Sequence, residues 1–226
     1  MIAVQGWGFV AGGLAAGVAG LYLVRRRAAI GWAPLVLGFV FAAFCLHFFR
    51  DPTRPLPTDA GRIFSPADGK VLSVESEEPG RLTIRIFLSI FDVHIQRFPV
   101  SGVVEKVEYR KGSFAPAMDE EARANERNIV TIRAQERGDA IEVEQIAGLI
   151  ARRIRCWTAE GERAVAGRRY GLIHFGSQAA VHLPESARAL VRPGDRVKGG
   201  VTPIAEWIDR DESAQGGLSP DDAGLR

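Results

Sequence analysis

Residues 171–184 read GLIHFGSQAAVHLP, and a Gly-Ser pair interrupts what is otherwise an apolar, strand-like run. A serine that attacks an external substrate needs an activating base and, in the hydrolase elbow, the frame GxSxG. Around Ser177 the frame is FGSQA, so that use is disfavoured. Another use needs no external substrate. If the chain bends at Gly176, the Ser177 hydroxyl can attack the preceding carbonyl, moving the acyl group from nitrogen to oxygen. β-Elimination of the ester then breaks the chain. The new N-terminal dehydroalanine tautomerises, takes up water and loses ammonia, leaving a pyruvoyl group. Glycine suits the position before such a bond because it tolerates unusual dihedrals and leaves the carbonyl open. A base must take the serine proton and an acid must assist the leaving nitrogen. Taken alone, the same pair is also the sequence of an ordinary bulge.

The partners for such chemistry are few. Of the four histidines, His47 lies in an apolar N-terminal run and His182 alternates with Val181 and Leu183, pointing to the opposite face. His174 stands two residues before Gly176, and His94 sits in FLSIFDVHIQRFPVSG (87–102). No HxH or HExxH pattern and no His/Asp/Glu cluster at ligand spacing occurs, which argues against a hydrolytic metal site. Cys45 and Cys156 form neither a disulfide framework nor a CxxC pair, and the default reading is a reducing compartment. Asp68 precedes Gly69 in SPADGKVLSV (65–74), which by itself is turn chemistry. The net charge of +2 argues against a nucleic-acid partner. The basic residues are 25 Arg against 4 Lys, a ratio that suits recognition of phosphates and carboxylates and that a GC-rich coding bias would equally produce.

Strands must position these residues. Leu82, Ile84, Ile86 and Leu88 alternate, and Val103 or Val104, Val107 and Tyr109 continue the style after Gly102. NIVTIRAQ (128–135), AIEVEQIAGL (140–149), RYGLIHF (169–175) and QAAVHLP (178–184) follow, with turns every eight to twelve residues. Only MDEEARANER (118–127) reads as a short helix. The expectation is a mostly β (α+β) single domain over residues 63–208. SPADGKVLSV and VRPGDRVKGGVTPIAEW (191–207) resemble phrases of barrel-sandwich hybrid folds. DPTRPLPTDAGR (51–62) reads as a linker and the polar tail 209–226 as disordered.

Ahead of this body, residues 7–24 and 28–49 are two apolar segments, each near the roughly 20 residues that cross a bilayer. Arg25, Arg26 and Arg27 lie between them, not before an apolar core as in a removable signal, so residues 1–50 are expected to form a membrane-anchoring helical hairpin. Its orientation stays open. The cluster at 25–27 would be held inside, whereas Arg50, Arg54 and Arg62 argue for the opposite side, and a re-entrant hairpin would satisfy both.

Taken together, FSPADGKV (64–71), FLSIFDVHIQRFPVSG, ANERN (124–128), QIAGLIARRI (145–154) and GLIHFGSQAAVHLP stand in an order that resembles the phosphatidylserine decarboxylases of the short, archaeal-type kind. The resemblance spans residues 50–208 and includes the apolar N-terminus. It implies a proenzyme cut between Gly176 and Ser177 into a β chain, 1–176, and an α chain, 177–226. The cofactor would be a pyruvoyl group derived from Ser177, with neither metal nor pyridoxal phosphate. The substrate would be phosphatidylserine drawn from the inner membrane at its cytoplasmic face, and the product phosphatidylethanolamine. Asp68 matches the family aspartate that supports self-cleavage, and His94 matches a histidine tied to decarboxylation. Arg97 stands where longer forms carry a second histidine, so the cleavage base is open between His94 and His174. Arg97 and Arg127 could hold the phosphodiester or the serine carboxylate, or be solvated surface charges. Self-association is left open. The alternative is a non-enzymatic, membrane-anchored barrel-sandwich adaptor of the membrane-fusion-protein type, although no long heptad stretch of the kind such adaptors insert is present.

Overall fold

A computed structural model describes residues 1–78, 80–116, 120–148, 153–174 and 177–208. The chain divides into two units, one of Met1–Thr53 with Ile90–His94 and one of the remainder.

The first unit is built on the apolar segments. Continuous apolar sequence without acidic residues forms α1, Trp7–Arg25, and α2, Trp32–Phe48, each preceded by a short 3-10 turn. With those turns the helices run 22 and 20 residues, long and apolar enough to cross a membrane. Their seam is made by small residues. A Cβ on Gly38 would lie 2.4 Å from the Gly17 nitrogen, and one on Gly20 would lie 2.2 Å from the Leu35 nitrogen, so the two backbones approach as closely as glycine allows. The large side chains point outward instead, with Val18, Leu37 and Val40 exposed. The chain closes on itself below the hairpin, where Ala3 donates to the Phe49 carbonyl at 2.8 Å and Asp51 to that of Met1 at 2.7 Å.

The second unit is strands: β1 Arg62–Phe64, β2 Gly69–Glu78, β3 Arg81–Leu88, β4 Ile95–Arg97, β5 Gly102–Arg110, β6 Arg127–Ala134, β7 Ala140–Ile146, β8 Ile154–Cys156, β9 Arg163–Ala164, β10 Arg169–Ile173, β11 Ser177–Pro184, β12 Ala187–Ala189, β13 Arg196–Val197 and β14 Pro203–Trp207. They form an eight-stranded antiparallel sheet, β13-β2-β3-β11-β7-β6-β5-β9, and two three-stranded sheets, β1-β14-β12 and β4-β10-β8. The expected mostly β body behind an apolar helical hairpin is therefore what the chain forms. The expected helix over 118–127 is not. Its described part is a 3-10 turn, Glu120–Ala124, and Arg127 already opens β6, where the ladders to β5 and β7 begin.

The period-2 pattern sorts the sheet faces. Ile84, Ile86, Val130, Ile132, Ile141, Val143, Val181 and Leu183 are buried together with Tyr170 and Trp207. The other face of the same strands is charged and paired. Arg85 meets Glu77 at 2.6 Å, Arg127 meets Glu144 at 3.1 Å, and His182 Nδ1 lies 2.8 Å from Thr83 Oγ1. His182 does point away from Val181 and Leu183, as alternation requires.

One close approach is specific to β10. Gly171 pairs with Gln96 on one side and Cys156 on the other, and a Cβ there would lie 2.5 Å from Gln145 Nε2 and 2.6 Å from the Arg155 carbonyl. The carbonyl is backbone and cannot swing aside. Gly171→Ala is expected to cost about 1–3 kcal/mol, as overpacked cores do, read as a lowered urea midpoint. An unchanged midpoint would show that β10 shifts freely.

Candidate active site

The turn carrying Asp68 is tied down before any chemistry is considered. Ser65 Oγ donates to the Ala67 carbonyl at 2.6 Å, and Gly200 donates to the Ser65 carbonyl at 2.7 Å. The two turn phrases read from the sequence thus meet, with Lys70 of β2 opposite Arg196 of β13. Asp68 Oδ1 accepts the Gly199 amide at 2.8 Å. A fork from Arg54 completes the carboxylate, Nη1 to Oδ1 at 2.6 Å and Nη2 to Oδ2 at 2.7 Å, while Nη1 also donates to the Gly199 carbonyl at 2.6 Å. Both side chains are nearly buried, so this is a desolvated, bidentate pair. Arg54 was invisible as a site residue because it lies in the Pro-rich stretch that reads as a linker.

Arg97 comes to the same turn from β4. Its guanidinium Nη1 donates to the Gly167 carbonyl at 2.7 Å, and a Cβ on Gly200 would lie 2.9 Å from its Cδ. It is 3% exposed, which excludes the solvated-charge alternative. Arg127 has other company. It donates to Glu144 at 3.1 Å, to the Asn125 carbonyl at 3.1 Å and to the Arg123 carbonyl. Burial by itself would raise the Glu144 carboxyl. The hydrogen bond with His182 and the charges of Arg127, His182 and Arg85 outweigh that and hold it below its usual range.

His94 belongs to the first unit and is fully buried. Its Nδ1 lies 2.9 Å from the Asp92 carbonyl oxygen, which can only accept, so Nδ1 carries the proton and Nε2 is the basic nitrogen of the neutral ring. The ring packs on Phe48 with centroids 4.2 Å apart.

His174 follows β10, its amide bonded to the Arg153 carbonyl at 3.1 Å. Burial first, then the positive charges of Arg155 and Arg153, push its pKa down to about 4. Between pH 6.5 and about 4 the unfolded chain therefore binds more protons here than the folded one. The stability owed to neutral His174 is whole above that window and is lost as pH falls through it. His174→Gln is expected to flatten the acid arm of the urea midpoint plotted against pH. Superimposable acid arms would assign the loss to other groups.

Gly176 lies outside the described residues. Ser177 is the first residue of β11, opposite Leu88 of β3. Next to it in register the inner face changes character. Asn128 and Gln145 occupy core-facing positions that continue Val130–Ile132 and Ile141–Val143, level with Ala179. Asn128 Nδ2 donates to Gln145 Oε1 at 3.1 Å. Gln96 is fully buried, and neither of its amide atoms has a hydrogen-bond partner among the described residues. A signal for the first two was available in the sequence: amides at the ends of strictly apolar period-2 rows.

Comparison with known proteins identifies the family. The family profile described as phosphatidylserine decarboxylase matches residues 41–205. A phosphatidylserine decarboxylase proenzyme of Saccharopolyspora erythraea is 46% identical over 203 residues, covering 85% of this chain and 84% of that protein. The proenzymes of Symbiobacterium thermophilum, 46% identical over 214 residues, and Cupriavidus taiwanensis, 42% identical over 213, cover 90% and 91% of this chain and 94% and 95% of their own lengths. These likenesses support the enzyme and give nothing to the adaptor. The chain belongs to the phosphatidylserine decarboxylase family, and it is a decarboxylase.

Proposed function

We propose that this chain is a precursor that breaks its own Gly176–Ser177 bond and decarboxylates phosphatidylserine on the pyruvoyl group made from Ser177. The observation that carries the reading is the setting of β11. Its eight residues pair with β3 along their whole length and with β7 over five positions. A break immediately before Ser177 would leave the new terminus of the 177–226 chain gripped on both edges by the 1–176 chain. The surroundings fit a group drawn from the chain itself: fully buried Ala179 and Ala180 follow it in the strand. The group supplies a carbonyl conjugated to the amide, an electron sink for the carbon that loses its carboxylate.

The chain's other residues bind and move protons. A pKa near 4 makes His174 a poor proton acceptor at neutral pH, which favours His94, through Nε2, as the base of self-cleavage and as the proton carrier of decarboxylation. Asp68, fixed by Arg54 and the Gly199 amide, supplies a carboxylate to the cleavage step. Arg97 and Arg127 offer guanidinium groups to the phosphodiester and the serine carboxylate, sharing them with the Gly167 carbonyl and Glu144. Two apolar helices attach the enzyme to the inner membrane that holds its substrate, with the strands on the cytoplasmic side.

Intact mass of the denatured protein, purified from membranes, tests the reading. Two chains are expected, divided at 176/177 and summing to the precursor plus water minus ammonia. One unmodified chain after prolonged incubation would overturn it.

A further inference from the structure

The last turn of a helix leaves carbonyls without partners. At the end of α2 backbone amides meet part of this need, the Arg50 amide reaching the His47 carbonyl at 3.3 Å, and a side chain that also reaches a distant loop adds to it. Arg50 Nη1 donates to the His47 carbonyl at 2.8 Å, and Arg50 Nη2 donates to the Phe91 carbonyl at 2.6 Å, 41 residues further on. His47 Nε2 lies 3.4 Å from that same Phe91 carbonyl. One turn of chain also brings Phe48 beneath the His94 ring, centroids 4.2 Å apart and planes 36° inclined. Phe48 in turn abuts Phe49 at 5.0 Å, and Phe49 stacks on Phe9 of α1 at 5.5 Å. A ladder of rings therefore runs from the first turn of one apolar helix, through the end of the other, to the imidazole. Loop 90–94 belongs to no strand.

We propose that the end of α2 is a positioning platform for His94, with Phe48 setting the plane of the imidazole and Arg50 holding the loop that carries it. The apolar hairpin is then part of the decarboxylation apparatus in addition to being the membrane attachment. This rests on the reading of His94 as the proton carrier. A catalytic ring displaced by even an ångström loses about a hundredfold in rate. A membrane anchor alone predicts no such loss once the substrate is dispersed.

The test uses the full chain in detergent with dihexanoyl phosphatidylserine, so that attachment to a bilayer no longer matters. Carbon dioxide release is scored per mole of cleaved chain. Phe48→Ala and Arg50→Met are expected to lower kcat about tenfold or more with KM within about twofold. Phe48→Leu, which refills the space without an aromatic face, should lose less, and Arg50→Lys, which keeps a donor for the Phe91 carbonyl, should regain part of the loss. Leu37→Ala, on the exposed side of α2, should match the unsubstituted enzyme. Unchanged kcat in Phe48→Ala and Arg50→Met would overturn the platform. So would loss of the folded circular dichroism signal in Phe48→Leu, which would make Phe48 a folding residue. Self-cleavage and kcat both unchanged in His94→Ala would instead overturn the reading of His94 itself.

Discussion

A Ser177→Ala protein stays one chain of full length and decarboxylates phosphatidylserine at least about a thousandfold more slowly than the cleaved enzyme. The substitution removes the hydroxyl that attacks the Gly176 carbonyl and the Cβ–O bond whose elimination breaks the chain, so neither the cut nor the carbonyl group can arise. Folding is left alone. β11 already contains alanine at 179 and 180, and its backbone pairs with β3 and β7 whatever the side chain at 177. Intact mass reads the cut, carbon dioxide release reads the activity, and circular dichroism reads the fold. Two chains from the alanine variant would move the cut elsewhere. A single chain with full activity would remove the need for one.

Breaking the Arg54–Asp68 pair is the second large effect. Arg54→Met leaves a nearly buried carboxylate whose remaining described hydrogen-bond donor is the Gly199 amide, and Asp68→Asn leaves a nearly buried guanidinium without its counter-charge. Removing one partner of such a pair costs about 3 kcal/mol. In a chain of this size that is a fall of about 6–12 °C in the thermal midpoint. The double variant should lose less than the sum of the two, because each single change already destroys the shared interaction. Rates of self-cleavage separate structure from chemistry. If Asp68 also supplies charge to the cleavage step, Asp68→Asn slows the cut about tenfold beyond Arg54→Met. Equal rates would confine Asp68 to holding the Gly199–Gly200 turn.

The burial of Arg97 has a simple physical cause. Its guanidinium satisfies the carbonyl of Gly167, a turn residue at φ 77° whose amide already bonds the Phe98 carbonyl at 2.8 Å. Nothing local to FDVHIQRFPVSG reveals that turn, which lies 70 residues away. Arg54 is the same case in a stretch whose prolines speak only for the absence of helix. The short helix expected at 118–127 is cut to the 3-10 turn Glu120–Ala124 in its described part, and the ladders to β5 and β7 take only its last residue, Arg127.

What the order of residues determined by itself was periodic or chemical. The two apolar segments, the alternation that separates the Val130–Ile132 face from the Arg127–Thr131 face, and the Gly-Ser pair heading a strand are properties of neighbours in the chain, and neighbours can be read directly. Tertiary structure alone decided which distant groups meet. It joined PADG to VKGG, gave Asp68 an arginine from the Pro-rich stretch, set the Gln145 amide over Gly171, and carried the end of an apolar helix to the loop of His94. Each of these contacts satisfies a buried polar group or fills a gap left by a small residue. Such needs are created by packing, so the partner that meets them leaves no mark on the residues beside it in sequence.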